Sequence, residues 1–143
     1  MKWSLLVQLR AILANGKFWS GILCGASFSR GTAYLERPPA VNSLATRAIE
    51  TYLSYQVWGV LLLVTTALVA LGWFSAWKVL GVVGHCTSVL IYGTFGLSLG
   101  LSAVFSHESW ANTGLFLVGA ALHVACAVYM ADEVAKHRQG GGD

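Results

Sequence analysis

The sequence predicts an all-α integral membrane protein with three transmembrane helices, and a fourth crossing left open ahead of them. Three observations carry this. Of 143 residues, 56% are hydrophobic and only 10% are charged, against roughly a quarter charged in soluble domains. The apolar residues are clumped, and no charge falls between Glu50 and Lys78. Aromatic residues flank the longest apolar runs, as they do at membrane interfaces. Uninterrupted apolar stretches of that length read as spanning helices.

The organisation expected from the chain is an interfacial N-terminal region over 1–54, a transmembrane bundle over 55–131 and a charged, flexible tail over 132–143. Within the first region, MKWSLLVQLRAILA places Leu5, Leu6, Leu9, Ile12 and Leu13 on one helical face. Gln8 and Arg10 interrupt the apolar run, and no small-residue cleavage site follows, which argues against a signal peptide. An amphipathic helix in the headgroup layer, anchored by Trp3, fits better. Asn15-Gly16 ends it.

The next piece, FWSGILCGASFS, stops at Arg30 and is too short to span but too apolar for a loop, so a re-entrant or interfacial segment is expected. A crossing that reached Leu35 would place Arg30 in the membrane, at a cost of about 2.5 kcal/mol or more. Glu36-Arg37-Pro38-Pro39 then breaks the chain, because proline restricts both itself and the preceding residue. NSLATRAIETYLSYQ reads as a polar helix, capped at Asn42 or Ser43 and running on into the first span.

That span covers about Gln56 to Phe74, with Trp58 near one end and Trp73 and Trp77 at the other as interfacial anchors. The second covers about Val79 to Phe105 and is long enough to require tilt. Ser106-His107-Glu108-Ser109 turns the chain, and the third span runs from about Trp110, a further anchor, to Met130. Three spans put the N-terminal region on the side of the 106–109 turn. Cations near the span ends then nearly balance across the membrane, so orientation stays open.

The second and third spans carry the chemistry. Gly81, His85, Ser88, Tyr92, Gly96 and Gly100 share one side of the second span, with Gly93 close by; Gly96 and Gly100 form a GxxxG pair. Gly119 and His123 share a face of the third with Asn112, Phe116, Cys126 and Met130. Ala121 and Ala125 offer a second close-approach pair. Small residues let helix backbones meet where lipid supplies no hydrophobic drive.

An ionisable residue inside a membrane is costly and points to function by default. For the pair His85 and His123 three roles compete. The imidazoles hydrogen-bond a neighbour (Ser88, Tyr129 or each other) and fasten the helices. They sense or relay a proton. Or they ligate a haem b or a metal between helices. No third ligand supports a catalytic metal, so no cofactor is expected beyond that haem alternative.

Cys24, Cys86 and Cys126 are odd in number and form no CxxC pair, so neither a disulfide framework nor a zinc site is expected. No catalytic constellation or phosphate-binding loop is visible, and an enzyme is not expected. The net charge of +3 suits anionic lipid rather than nucleic acid.

The basic amphipathic start, SRGTAYL, the VWG entry to the first span, GH in the second and the short charged tail together resemble small membrane proteins of actinobacterial phages, some treated as holins. The resemblance covers roughly residues 28–131. It implies a holin-like homo-oligomer of the bacterial inner membrane, in contact with the lipid bilayer. A membrane-active virion component beside phage structural proteins, or a superinfection-exclusion protein, is the other implication. No residue role carries over from it.

Overall fold

The computed structural model describes residues 15–36, 53–106 and 110–139. They form four helices: α1 (Gly16–Glu36), α2 (Tyr55–Phe74), α3 (Lys78–Ser106) and α4 (Trp110–Gln139). The expected amphipathic helix with Trp3, the Pro38-Pro39 break and the cap at Asn42 or Ser43 lie outside the described residues. α2, α3 and α4 are long and apolar enough to cross a membrane, over Tyr55–Phe74, Lys78–Phe105 and Asn112–Arg138. The all-α, three-span expectation is met.

Hydrogen bonding explains the helix ends. Ser54 is extended (φ −63°, ψ 155°) and its Oγ accepts the Val57 N–H at 3.4 Å, satisfying a donor that an α-helix leaves free in its first turn. The first span therefore starts at its own cap, and the expected helical run-in from the polar segment is broken at Leu53-Ser54. At the other end Ser75 N–H and Oγ both donate to Leu71 O, and Lys78 Nζ donates to Trp73 O at 3.0 Å. Trp77 N–H closes on Ser75 Oγ at 3.1 Å. The turn is tight because its side chains satisfy carbonyls that would otherwise face hydrocarbon.

The segment expected to be re-entrant is instead one continuous helix of 21 residues. At 1.5 Å per residue it is about 32 Å long, close to the thickness of a hydrocarbon core. Scattered serine and glycine dilute its hydropathy, which is why it does not stand among the three apolar spans. It packs against α2 and α4, so the bundle begins at Gly16 rather than at 55. Arg30, the obstacle to a crossing, lies with its guanidinium 4.2 Å from the centre of the Phe116 ring, a cation–π contact that offsets part of its desolvation.

The helices run up, down, up, down. α1 pairs with α2 antiparallel, Ser20 meeting Trp73 and Gly31 meeting Gly59. It runs parallel to α3, Ser20 reaching His85 and Ser27 reaching Tyr92. Contacts link α1–α2, α2–α3, α3–α4 and α4–α1, a ring whose α1–α3 diagonal is bridged by those two hydrogen bonds. Because α1 parallels α3, Lys17 lies at the end of the bundle that carries the 75–78 turn and the end of α4. The N-terminal side expected from three spans is thus reversed for this residue.

Glycines set the crossings. A Cβ on Gly72 would strike the Gly81 backbone, and one on Gly81 would strike Met130. Gly96 and Gly100 accept Leu117 and Thr113 of α4, and Gly119 accepts the Tyr92 ring. Gly93, grouped with them on sequence, has open space where a Cβ would stand. Ala121 is exposed and Ala125 half-buried, so their pairing is not a contact within the chain; that face of α4 points outward with Val118, Val124 and Val128.

One half of the core is aromatic and aliphatic: Trp58, Leu62, Ile91, Tyr92, Phe95 and Phe116. Trp58 is only 7% exposed and packs edge-on against Phe95, so it is a core residue and not an interfacial anchor. Trp77, just before α3, and Trp110, the first residue of α4, are 72% and 58% exposed. Trp73 is half-buried and hydrogen-bonded inward. The outer surface of all four helices is apolar, from Phe18 and Phe28 through Val64 and Leu90 to Val128, an area that suits lipid and not water.

α4 continues to Gln139, nine residues beyond the expected end at Met130. Lys136 binds Asp132 at 2.7 Å and Glu133 at 3.1 Å across one turn, so the charged tail is helical through that stretch. Such exposed pairs add only tenths of a kcal/mol.

Close approach at Gly72 and Gly81 gives a stability prediction. Gly72→Leu should lower stability in mixed-micelle unfolding by about 1–3 kcal/mol or more, as overpacking does. Gly93→Ala should stay within about 0.5 kcal/mol of the parent. Equal losses at the two positions would contradict the packing described.

Candidate functional site

α3 brings His85, seven residues from its start at Lys78, to the bundle axis about 10 Å from that end of the helix. α4 descends beside it and presents His123 at the same level. The two Nδ1 atoms are 2.8 Å apart, a direct hydrogen bond, and the residues are 0% and 2% exposed. Both therefore face the bundle interior, as expected, and of the partners foreseen for them it is the other imidazole that they take.

The chain of contacts extends on one side. His85 Nε2 lies 2.9 Å from Ser20 Oγ on α1, and Ser20 accepts a further bond from Trp73 Nε1–H on α2. All four helices thus contribute one group to a buried line: Trp73, Ser20, His85, His123. Two turns deeper, Ser27 Oγ and Tyr92 Oη are 2.9 Å apart, and the Tyr92 ring stands 5.1 Å from that of His123. Cys126 Sγ points at the Gly16 carbonyl at 3.9 Å, tying α4 weakly to the start of α1. Ser88 is buried on the same side of α3 as His85.

Two proton arrangements satisfy this line. In one, the Ser20 hydroxyl donates to His85 Nε2, His85 Nδ1–H donates to His123 Nδ1, and His123 keeps its proton on Nε2. In the other, His85 Nε2–H donates to Ser20 and His123 Nδ1–H donates to His85. Passing from the first to the second moves one proton along each bond and also requires Ser20 to take up a proton and His123 Nε2 to release one, since each neutral imidazole is a donor on one nitrogen and an acceptor on the other. In both, His123 Nε2 has no hydrogen-bond partner among the described residues. The pair accommodates one added proton, because a protonated ring still donates to a neutral one; a second would set two donors face to face.

The same distance bears on haem or metal. Both Nδ1 atoms are engaged with each other at 2.8 Å and His85 Nε2 with Ser20, so in this arrangement His123 Nε2 is the one imidazole nitrogen of the pair without a partner among the described residues, and a haem or metal held by both rings would have to replace the bond between them. Among the described residues no group of three or more His, Cys, Asp or Glu side chains could hold a metal ion.

Sequence reasoning found the histidines but missed Ser20, Ser27 and the inward role of Trp73. A signal was present: Ser20 and Ser27 are seven residues apart, as are His85 and Tyr92. Matching seven-residue spacings of polar groups mark matching stripes on two helices.

Fold and site together define a class: a polytopic α-helical bundle, apolar outside, with a hydrogen-bonded imidazole pair at its axis. No known protein family matches the chain, and neither does any curated protein or solved structure.

Removing the shared hydroxyl tests the line. Ser20→Ala leaves Trp73 Nε1–H and His85 Nε2 buried together without it, and unfolding in mixed micelles should register a loss of about 1–3 kcal/mol. A double-mutant cycle between Ser20→Ala and His85→Ala should give a coupling of about 0.5–2 kcal/mol. Coupling indistinguishable from zero would mean that the two groups do not interact.

Proposed function

We propose that this chain is a phage-type membrane protein acting as a holin-like homo-oligomer in the bacterial inner membrane. The observation that carries this is the distribution of polarity. Ser20, Ser27, Thr65, His85, Ser88, Thr113 and His123 are buried, while the surface is apolar on every helix. Such a bundle is at home in lipid as a closed unit, yet each of its helices holds a polar group in reserve. A lesion that conducts water and ions needs helices with one wettable face, and these faces become available when the helices part. The polar contacts holding the closed state are individually modest, on the order of 1 kcal/mol in membranes, so opening is within reach of a crowded assembly.

The interior packing narrows how assembly occurs. Gly81, Gly96, Gly100 and Gly119 are already occupied within one chain. Lateral contact between closed copies falls to the outward faces instead.

Expression in a bacterium loaded with a potential-sensitive dye tests the proposal. Abrupt depolarisation after a delay is expected from the parent chain. Replacing the polar faces by apolar ones (Ser20→Ala, Ser27→Ala and Ser88→Ala together) should leave the protein in the membrane but abolish depolarisation. Harmless accumulation of the parent chain would refute the reading.

A further inference from the structure

At the end of the bundle where α2 turns into α3, the last turns of α4 pass close by. A cavity of about 350 Å³ opens there, bordered by Trp77, Lys78, Val79, Val134, His137 and Arg138. Its walls are of two kinds. Val79, Val134 and the exposed Trp77 ring are apolar and continuous with the lipid-facing surface. Lys78 and Arg138 supply two cations, and His137 stands beside them.

The local charge is uncompensated. Both carboxylates near the end of α4, Asp132 and Glu133, are engaged by Lys136. Lys78 spends one hydrogen bond on the neutral carbonyl of Trp73, which leaves its charge unmatched. Among the described residues the ion pairs are confined to Lys136, and neither Lys78 nor Arg138 has an acidic partner. Lys17 adds a further cation at this end, 5.8 Å from the centre of the Trp73 ring. The opposite end holds, among the described residues, Arg30 and Glu36, whose charges cancel.

We propose that this cavity binds the headgroup of an anionic phospholipid. Lys78 and Arg138 hold the phosphate, His137 borders it, and Trp77, Val79 and Val134 receive the glycerol and the start of the acyl chains. The chemistry is that of clustered Lys and Arg beside a span end, which attracts anionic lipid; the amphipathic lining distinguishes a lipid from a free anion. Among the described residues, α1 running parallel to α3 gathers Lys17, Lys78, Lys136 and Arg138 toward this end.

The test uses the full chain in detergent, titrated with phosphatidylglycerol bearing a fluorescent tail, and with phosphatidylcholine bearing the same tail. Phosphatidylglycerol should bind about tenfold tighter or more, given two cations at the headgroup. Lys78→Gln combined with Arg138→Gln should erase that preference. Lys136→Gln, which removes the same kind of charge from an already paired position, should leave it within about twofold. Circular dichroism and elution volume matched to the parent ensure that each variant is folded. Equal binding of the two lipids by the parent overturns the proposal, as does an equal loss on Lys136→Gln. Displacement of the lipid by millimolar inorganic phosphate overturns it in favour of a free-anion site.

Discussion

Hydrocarbon offers no partner to a polar group, so each hydroxyl, indole N–H or imidazole that enters it must find one within the protein. This constraint shapes the bundle more than any apolar contact does. The outward face of each helix can be almost any apolar side chain. The inward faces cannot: Ser20 must meet His85 and Trp73, His85 must meet His123, and Ser27 must meet Tyr92. Those pairings fix the rotation of all four helices about their axes, and glycines at the crossings allow the approach.

α1 shows how a modest helix becomes necessary. Alone it is short of apolar residues and carries a cation within its length. In the bundle its serines meet partners on α2 and α3, Gly31 nests against Gly59, and Arg30 lies over Phe116. Without it, His85 Nε2 and Trp73 Nε1 would both lose their acceptor or donor. The other three helices would be left with an open polar seam toward lipid. The helix that composition ranks last therefore seals the site.

The three strong spans were legible because hydropathy and aromatic flanks are properties of single segments. So was the inward direction of His85 and His123, since helical spacing places them beside Gly81, Ser88 and Gly119. What depends on a second segment was not legible. α1 looked too short because its polar residues counted against it before their partners were known. Trp58 sits near a span end, where sequence cannot distinguish a belt residue from one turned into the core against Phe95. Gly93 and Ala121 share composition with true contact positions but fall on the wrong side of their helices. A direct bond between the imidazoles follows from a distance and could not follow from a pattern.

The two bonds along the α1–α3 diagonal join residues that are each 65 positions apart, and that common offset has a consequence for biosynthesis. A ribosome releases Ser20 and Ser27 well before His85 and Tyr92 exist. During that interval the first helix has two hydroxyls and no distant residue to receive them, so its cheapest resting place is the wet boundary of the bilayer. The shared offset acts as a vernier between α1 and α3: a slip of one turn would break both bonds at once.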